Sequence, residues 1–208
     1  KIALLVVSLC LIYSQKNPPV WPVTFTQRFV EEFIINGSKH ATSGETWYDA
    51  ANNRSRLLRA NGGYDSLCNS IQPGNLECVN LVANGKRYII FPQLKRGCMC
   101  CTAEQGCGIL RRDWLNGATY EGVEVLSGTA FDKWSKPDGA DTDWYYATTD
   151  SLQIPRQLNE ANTHIIEYLM NTYSTTPIAD SVFAVPDYIN GDCAATTVCG
   201  RFRGEQSE

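Results

Sequence analysis

The sequence has no excess of basic residues and very little histidine. Its 208 residues include 18 Lys and Arg against 22 Asp and Glu, which gives a formal net charge of −4. Proteins that bind nucleic acid through its phosphates need a basic surface, so we expect no nucleic-acid partner. His40 and His164 are the only two histidines, which leaves few ligands for a histidine metal site and few bases to activate a nucleophile.

The sequence also lacks the motifs of common hydrolases. The Gly-x-Ser-x-Gly turn of the α/β-hydrolases is missing, and Leu126-Ser127-Gly128 predicts a simple turn. His40 lies in a predicted polar loop, and His164 opens a predicted strand. We therefore expect a protein that is not an enzyme and requires no cofactor. A secreted enzyme, whose catalytic carboxylates would be distant in the sequence and brought together by the fold, is a weaker hypothesis than a binding protein or a structural subunit.

No apolar run is long enough to cross a membrane as a helix. The stretch from Lys1 to Ser14 has a basic start and about twelve mostly apolar residues, whereas a helical span needs roughly 20. This layout is typical of a signal peptide, which we predict for residues 1–14. Residues 15–208 then form a single domain. The alternative is a retained strand that packs on this chain or on a neighbouring chain.

Nine cysteines are the most distinctive feature that is present. Loss of Cys10 with a signal peptide leaves an even number, as an oxidised framework requires. The predicted disulfide residues are Cys68, Cys78, Cys98, Cys100, Cys101, Cys107, Cys193 and Cys199. Zinc sites usually have two separated cysteine pairs, unlike this dense run, so we predict disulfides and a secreted, extracellular or lysosomal location. The adjacent Cys100 and Cys101 should bond to different partners.

Two further patterns concern modification and metal binding. Asn36-Gly37-Ser38 and Asn53-Arg54-Ser55 are acceptor sequences for N-glycosylation, which predicts glycans on Asn36 and Asn53. The acidic turn that contains Asp138, Asp141 and Asp143 is a possible calcium site, although it lacks the terminal Glu of an EF-hand. The alternative is a solvated hairpin loop without metal.

Alternating apolar and polar residues predict a mostly β protein. The clearest strand covers Trp21–Ile35, and two hairpins follow it. The first hairpin joins Glu45–Ala50 to Arg54–Ala60, the second joins Val79–Val82 to Lys86–Phe91, and further strands cover Tyr120–Leu126, Trp144–Thr149, Leu152–Leu158 and His164–Tyr173. Pro155 suggests an edge strand, and Ile109–Leu115 suggests a helical turn. We predict curved antiparallel sheets that form an open barrel or sandwich, with one or two short helices.

Some predicted strands are apolar on both faces, among them Arg87–Phe91 and His164–Met170. Their second face needs a cover, which can be another sheet, a helix, a partner or an apolar ligand. β-Rich carriers hold small hydrophobic ligands in apolar pockets with few polar groups. The predicted lining of such a pocket consists of Phe25, Phe29, Trp144, Tyr146, Ile166 and Tyr168.

Several segments resemble ependymin-related proteins. Residues 45–56 (ETWYDAANNRSR) are similar to an early motif of that family, and Asp143–Thr148 with Pro155 resembles its central strand pair. Pro177–Pro186 before Cys193 resembles its closing segment. The run from residue 98 to residue 108 (CMCCTAEQGCG) is similar to invertebrate and protist members.

The resemblance implies a secreted or lysosomal glycoprotein with a curved sheet like that of bacterial lipoprotein carriers. It also implies an apolar pocket, calcium association, dimerisation, and bonds from Cys193 and Cys199 to the regions of Cys68 and Cys98 to Cys101. The chain has more cysteines than the usual framework. We predict a protein that binds a hydrophobic small molecule or lipid. The alternative is a structural or adhesive subunit of a matrix or filament, a homo-oligomer assembled through sheet faces or strand exchange.

Overall fold

The computed structural model describes residues 16–205, and within this range eleven antiparallel strands form one open sheet. The strands are β1 (Thr24–Ile35), β2 (Ser38–Asp49), β3 (Arg54–Arg59), β4 (Cys78–Ala83), β5 (Lys86–Phe91), β6 (Arg96–Thr102), β7 (Thr119–Leu126), β8 (Thr129–Asp138), β9 (Asp141–Thr148), β10 (Pro155–Glu160) and β11 (His164–Tyr168). The helices are α1 (Ser66–Ile71) and α2 (Val198–Phe202). The predicted fold class is confirmed, whereas the predicted signal peptide lies outside the described residues.

The strand order is β6-β5-β4-β3-β2-β1-β11-β10-β9-β8-β7. Strands β1 to β6 form one meander, strands β7 to β11 form a second, and the pairing of β1 with β11 joins them. Tight turns connect many neighbours, with positive φ at Asn36 and Gly37 and again at Asn84 and Gly85. These residue types favour two-residue hairpin turns, which explains why the turns could be predicted.

Some local predictions were wrong. Strand β2 begins at Ser38 rather than after Gly44, because its polar first half pairs with the second half of β1. Strand β10 lies between β9 and β11 and not at an edge. Pro155 is its first residue, next to an irregularity in the pairing, where a missing N–H is tolerated. Residues 109–115 form turns and no regular helix.

One face of the sheet is concave, and we call it the inner face. In β1 it carries Phe25, Gln27, Phe29, Glu31 and Phe33, all of which are buried. A single cavity is lined by Arg87 of β5 and Ile166 of β11, five strands apart in the sheet order. On a flat sheet these strands would be separated by about 24 Å. The sheet therefore curves around its inner face.

Residues 103–118, which we call the strap, connect the two edge strands β6 and β7 across the inner face. Trp114 and Leu115 of the strap pack into a cluster with Trp134, Tyr145 and Leu158. The strap thus encloses space between itself and the sheet.

The outer face of β3 to β5 is covered by residues 178–189. Phe183 packs with Val79 and Leu81, and the guanidinium carbon of Arg54 lies 4.4 Å from the centre of the Phe183 ring. Arg54 also pairs with Asp180 at 2.7 Å. The chain itself therefore supplies the second cover that the apolar strand β5 requires.

All eight predicted cysteines are paired. Two disulfides, Cys98–Cys193 and Cys100–Cys199, join the C-terminal segment to β6. Cys101–Cys107 closes the start of the strap, and Cys68–Cys78 links α1 to β4. Cys100 and Cys101 bond to different partners, as expected from their adjacency. The expected contact of the tail with Cys98–Cys101 is present, whereas Cys68 bonds to β4 and not to the tail.

Candidate functional site

A cavity of about 190 Å³ lies between the inner face and the strap. It is lined by Trp21, Phe29, Thr46, Tyr48, Ser55, Leu57, Asn80, Val82, Arg87, Ile109, Leu110, Ile166 and Tyr168. Most of these side chains are apolar or aromatic, and the polar ones come chiefly from β2 to β5. This combination is typical of sites that hold small organic ligands.

Three of the six predicted lining residues, Phe29, Ile166 and Tyr168, line this cavity. They meet because Phe29 stands opposite Tyr168 in the pairing of β1 with β11. Phe25 also faces inward, but its ring is buried between Trp21 and Tyr48, with ring centres 5.2 and 5.3 Å away. Phe25 therefore packs behind the lining residues Trp21 and Tyr48 and does not line the cavity.

The prediction that Trp144 and Tyr146 line the pocket does not fit the structure. Tyr145, between them, pairs with Trp134 and Leu158 and belongs to the inner-face cluster. Because side chains alternate along a strand, Trp144 and Tyr146 point to the outer face. There the Tyr146 ring lies 5.6 Å from the Lys133 ammonium.

A surface groove of about 700 Å³ adjoins the cavity. Tyr48, Val82 and Ile109 line both spaces, so the groove and the cavity meet along these side chains. At this boundary the Tyr48 hydroxyl donates to the carbonyl oxygen of Leu110 at 2.7 Å, which fastens the strap to β2. The side chain of Leu110 is 47% exposed, and it can therefore meet a ligand from solvent.

Arg87 is the one cationic side chain in the lining of the cavity. Its Nη2 donates to the Gly108 carbonyl at 2.9 Å and its Nε to the Cys107 carbonyl at 3.4 Å. Burial lowers the pKa of the guanidinium, and the charge of Asp65 opposes this effect. Sequence reasoning missed this residue, although a lone arginine in the apolar strand β5 was an available signal.

A buried ionic cluster lies on the inner face next to the cavity. Glu31 accepts from Arg59 at 2.6 and 2.8 Å and from His164 Nε2 at 2.6 Å. His164 Nδ1 lies 2.6 Å from Glu160. Burial alone would raise the pKa of Glu31, but the bonds from His164 and Arg59 lower it from 4.5 to about 2. Burial alone would lower the pKa of His164, but its bonds to Glu160 and Glu31 raise it to about 9.

The predicted calcium residues lie at the β8–β9 turn. Asp138 pairs with Asp141 across this turn, and Asp143 stands opposite Lys136. Burial, together with the nearby charges of Glu160 and Asp138, raises the pKa of Asp143. Among residues 16–205, the three aspartates do not form a group of metal-ligand size, so calcium binding stays a prediction.

The one group of potential ligands found in the described range consists of the sulfurs of Cys100, Cys101 and Cys107, which lie within 4.8 Å of one another. These sulfurs are engaged in disulfides, which explains their proximity without zinc. The predicted glycosylation sites Asn36 and Asn53 are exposed in turns, both with φ of 50°. Asn tolerates this backbone conformation well, and the glycans stay a prediction.

No helix within residues 16–205 is long and apolar enough to cross a membrane. No curated protein sequence matches the chain. Among solved structures, an uncharacterized conserved protein from Thermus thermophilus is similar with a TM-score of 0.55 and 8% identity, over 81% of this chain and 90% of that chain. At such low identity the likeness shows the fold alone.

Two other similar structures have TM-scores too low to support an argument. A MucA/MucB complex from Pseudomonas aeruginosa has a TM-score of 0.43 and 14% identity, over 80% of this chain and 57% of that chain, little more than half its length. A LolA superfamily protein from Nitrosomonas europaea has a TM-score of 0.39 and 9% identity, over 82% of this chain and 94% of that chain.

A family model described as Domain of unknown function (DUF8395) matches residues 20–189. This range contains all eleven strands, the strap and the segment that covers the outer face. The match includes the cavity and its adjoining groove. The chain therefore belongs to the DUF8395 family.

Proposed function

We propose that this protein binds a hydrophobic small molecule or lipid between the inner face and the strap. The observation that supports this proposal is the cavity lined by Phe29, Leu57, Ile166 and Tyr168 beneath the strap. Concave, mostly apolar spaces with a few polar groups are the usual form of small-molecule sites. A protein that only had to be stable would gain from filling this space.

The size of the cavity limits the ligand. Its volume of about 190 Å³ is smaller than the roughly 300–1,000 Å³ of typical drug-sized sites. A ligand of ordinary size therefore places one part in the cavity and another in the groove of about 700 Å³. A short acyl chain, or the end of a longer one, is a suitable occupant.

The proposed location is outside the cytosol, in the secretory route or an extracellular space. Four disulfides support it, because such bonds persist in oxidising compartments. Kinship with ependymin-related proteins, glycans on Asn36 and Asn53, and calcium on Asp138, Asp141 and Asp143 stay additional predictions. The binding proposal requires none of them, and it requires no catalytic residue.

A pair of neighbouring isoleucines tests the binding proposal. Ile166 lines the cavity, whereas Ile165 precedes it on β11 and points to the opposite face. The probe is N-phenyl-1-naphthylamine, a neutral apolar dye whose fluorescence rises in apolar sites. We expect Ile166→Trp to fill the cavity and weaken dye binding by roughly tenfold or more, the effect of losing contacts worth about 1.4 kcal/mol or more.

The matched control is Ile165→Trp, which should keep the affinity for the dye within about twofold, since this half-buried side chain lies on the face away from the cavity. Thermal unfolding of both variants verifies that each is folded. Absence of dye binding to the unaltered protein would refute the proposal, as would equal losses in the two folded variants. Mass spectrometry of organic extracts of the purified protein then identifies any natural ligand.

A second candidate function, a subunit of an extracellular assembly, is favoured by the exposed edge strand β7. Val123 and Val125 on β7 are 58% and 64% exposed, and no strand within residues 16–205 pairs with its outer edge. By contrast, a bridge from Met99 to Asp192 covers the other edge strand, β6. Unprotected edges can pair with another chain.

Light scattering at rising protein concentration tests this alternative. If copies assemble through β7, Val125→Lys should reduce the mean mass, because a lysine on an edge disfavours strand pairing. The control is Leu152→Lys, at a turn residue that is 67% exposed and should leave the mass unchanged. A monomer at all concentrations eliminates the assembly.

A further inference from the structure

Arg87 is a half-buried cation whose cross-strand neighbours carry no charge. Its partners in the sheet are Val82 on β4 and Cys101 on β6. Desolvation by burial lowers the pKa of its guanidinium. Because a buried charge is costly unless it is paired and hydrogen-bonded, the surroundings of this side chain call for an explanation.

Arg59 shows how this fold satisfies a buried arginine. Arg59 also lies on the inner face, and it binds both carboxylate oxygens of Glu31, with Asp65 at 3.2 Å as a second anionic partner. Arg87 has no such partner, because no carboxylate of residues 16–205 lies within 4.0 Å of its nitrogens. The same concave face thus holds one arginine in direct ion pairs and one that is affected only by the more distant charge of Asp65.

The hydrogen-bond donors of Arg87 are also only partly used. A guanidinium has five N–H donors. One from Nη2 bonds to Gly108 and one from Nε bonds to Cys107, both to strap carbonyls, and the other three have no acceptor among the described residues. Asn80 and Ser55 line the same cavity, so further polar groups lie on the same side.

The position of Arg87 also matters, because it lies where the cavity meets the groove. Arg87 lines the cavity, while its hydrogen-bond partner Gly108 lines the groove. Water that enters from the groove can satisfy the free donors. An entirely apolar ligand would displace that water and leave charged donors buried without acceptors, at a considerable cost. A ligand that carries its own anionic acceptor avoids this cost.

Building on the proposed function, we infer that the ligand is an aliphatic carboxylic acid whose carboxylate pairs with Arg87. A carboxylate matches the planar fork of a guanidinium and can accept two parallel hydrogen bonds. With this head at the junction, the acyl tail extends into the cavity along Leu57 and toward Ile166. The small volume beyond the junction suits a chain of medium length.

Calorimetric titration with decanoate and decan-1-ol tests this inference, since the two probes share a tail and differ in the head. We expect the unaltered protein to bind decanoate roughly tenfold or more tightly than decanol at neutral pH, because hydrogen bonds to charged groups contribute a factor of this order. In Arg87→Gln, decanoate should lose roughly tenfold or more in affinity, while decanol and the neutral naphthylamine dye keep theirs within about threefold.

The matched control is Arg28→Gln on β1, where the side chain is exposed on the outer face; it should leave both affinities unchanged. Equal binding of acid and alcohol to the unaltered protein would overturn the carboxylate inference and leave the binding proposal intact. Failure of all three probes to bind would instead overturn the proposed function. If Arg87→Gln does not fold, the comparison of acid with alcohol on the unaltered protein decides alone.

Discussion

Arg59 and Glu31 form a two-pronged ion pair in the interior of the protein. Nε of Arg59 lies 2.6 Å from one carboxylate oxygen of Glu31, and Nη2 lies 2.8 Å from the other. The Glu31 side chain is wholly buried, and that of Arg59 is 6% exposed. Arg59 belongs to β3 and Glu31 to β1, so the pair bridges β2, which lies between them.

Loss of one partner of this pair should strongly destabilise the fold. Arg59→Met leaves the Glu31 carboxylate buried without its main counter-charge, and breaking a buried pair in this way typically costs about 3–5 kcal/mol. Urea unfolding measures the change. The double variant Arg59→Met/Glu31→Met should lose much less than the sum of the two single variants. A single variant within about 1 kcal/mol of the unaltered protein would contradict this interpretation.

The same cluster predicts a stability maximum in mildly acidic solution. The pKa of Glu31 is lowered from 4.5 to about 2, so its contribution is complete above pH 4.5 and is lost as the pH falls toward 2. The pKa of His164 is raised from 6.5 to about 9, so its contribution is complete below pH 6.5 and is lost as the pH rises through 9. Urea midpoints measured from pH 3 to pH 9 should therefore fall at both ends.

The variant His164→Gln tests whether His164 causes the loss of stability at alkaline pH. It removes the group whose pKa is raised, so its stability should be lower at pH 6 and should change little between pH 6.5 and 9. A variant that still loses stability across this window, to the same extent as the unaltered protein, would assign the alkaline loss to other groups. The ring also stacks on Phe33, with centres 4.5 Å apart, so the loss at pH 6 includes packing.

Gly44 provides the space that the ring of Phe29 occupies. The two residues are opposite each other in β1 and β2, and a Cβ on residue 44 would overlap the Phe29 ring and the Leu58 carbonyl. Gly44→Ala should therefore destabilise the protein by about 1–3 kcal/mol through overpacking. Because Phe29 lines the cavity, its displacement should also weaken binding of the naphthylamine dye.

The adjacent Ser43→Ala is the control for Gly44→Ala. Ser43 is exposed, and its loss should change stability by less than about 0.5 kcal/mol and leave dye binding unchanged. Equal stability of the two variants would mean that the Phe29 ring and the Leu58 carbonyl can both move away at no cost. Crystal structures of the variants would show where the ring moves.

Local patterns in the sequence sufficed to predict the β class, the turns at Asn36-Gly37 and Asn84-Gly85, and the eight bonded cysteines. They failed where the outcome depends on distant parts of the chain. Alternation shows that Tyr145 and Tyr146 point to opposite faces, but it does not say which face the strap covers. Strand β6 was missed because its cysteines show no clear alternation. Their partners lie up to 99 residues away.

The residues of the cavity also differ in how far the sequence alone could predict them. Phe29, Ile166 and Tyr168 could be predicted because they are large apolar or aromatic residues on strands that the sequence shows to be rich in such residues. A lone arginine in the apolar strand β5 could have been noticed, but the sequence could not show that no carboxylate of residues 16–205 lies within 4.0 Å of the nitrogens of Arg87. The sequence contains enough acidic residues to pair every arginine, and only the fold shows that Arg59 forms ion pairs on the inner face while Arg87 forms none within residues 16–205.

The two disulfides of the C-terminal segment should contribute to stability in a non-additive way. Cys98–Cys193 and Cys100–Cys199 close loops with separations of 95 and 99 residues, and loops of this size are worth about 4–5 kcal/mol in the chain-entropy model. The two bonds join the same pair of segments. Removal of one of these disulfides therefore frees only a short loop, because the remaining disulfide still closes a long loop.

Replacement of either pair by alanines should then cost about 2–3 kcal/mol, and replacement of both pairs should cost clearly more than twice that amount. Cys68–Cys78 closes a separate loop with a separation of 10 residues. The loss of stability on its removal should therefore add to the loss on removal of either long-range disulfide. Urea unfolding of the single, double and mixed variants measures these differences. Simple additivity of the two long-range bonds would show that they act on the unfolded chain independently, which would conflict with their joint attachment of the tail to β6.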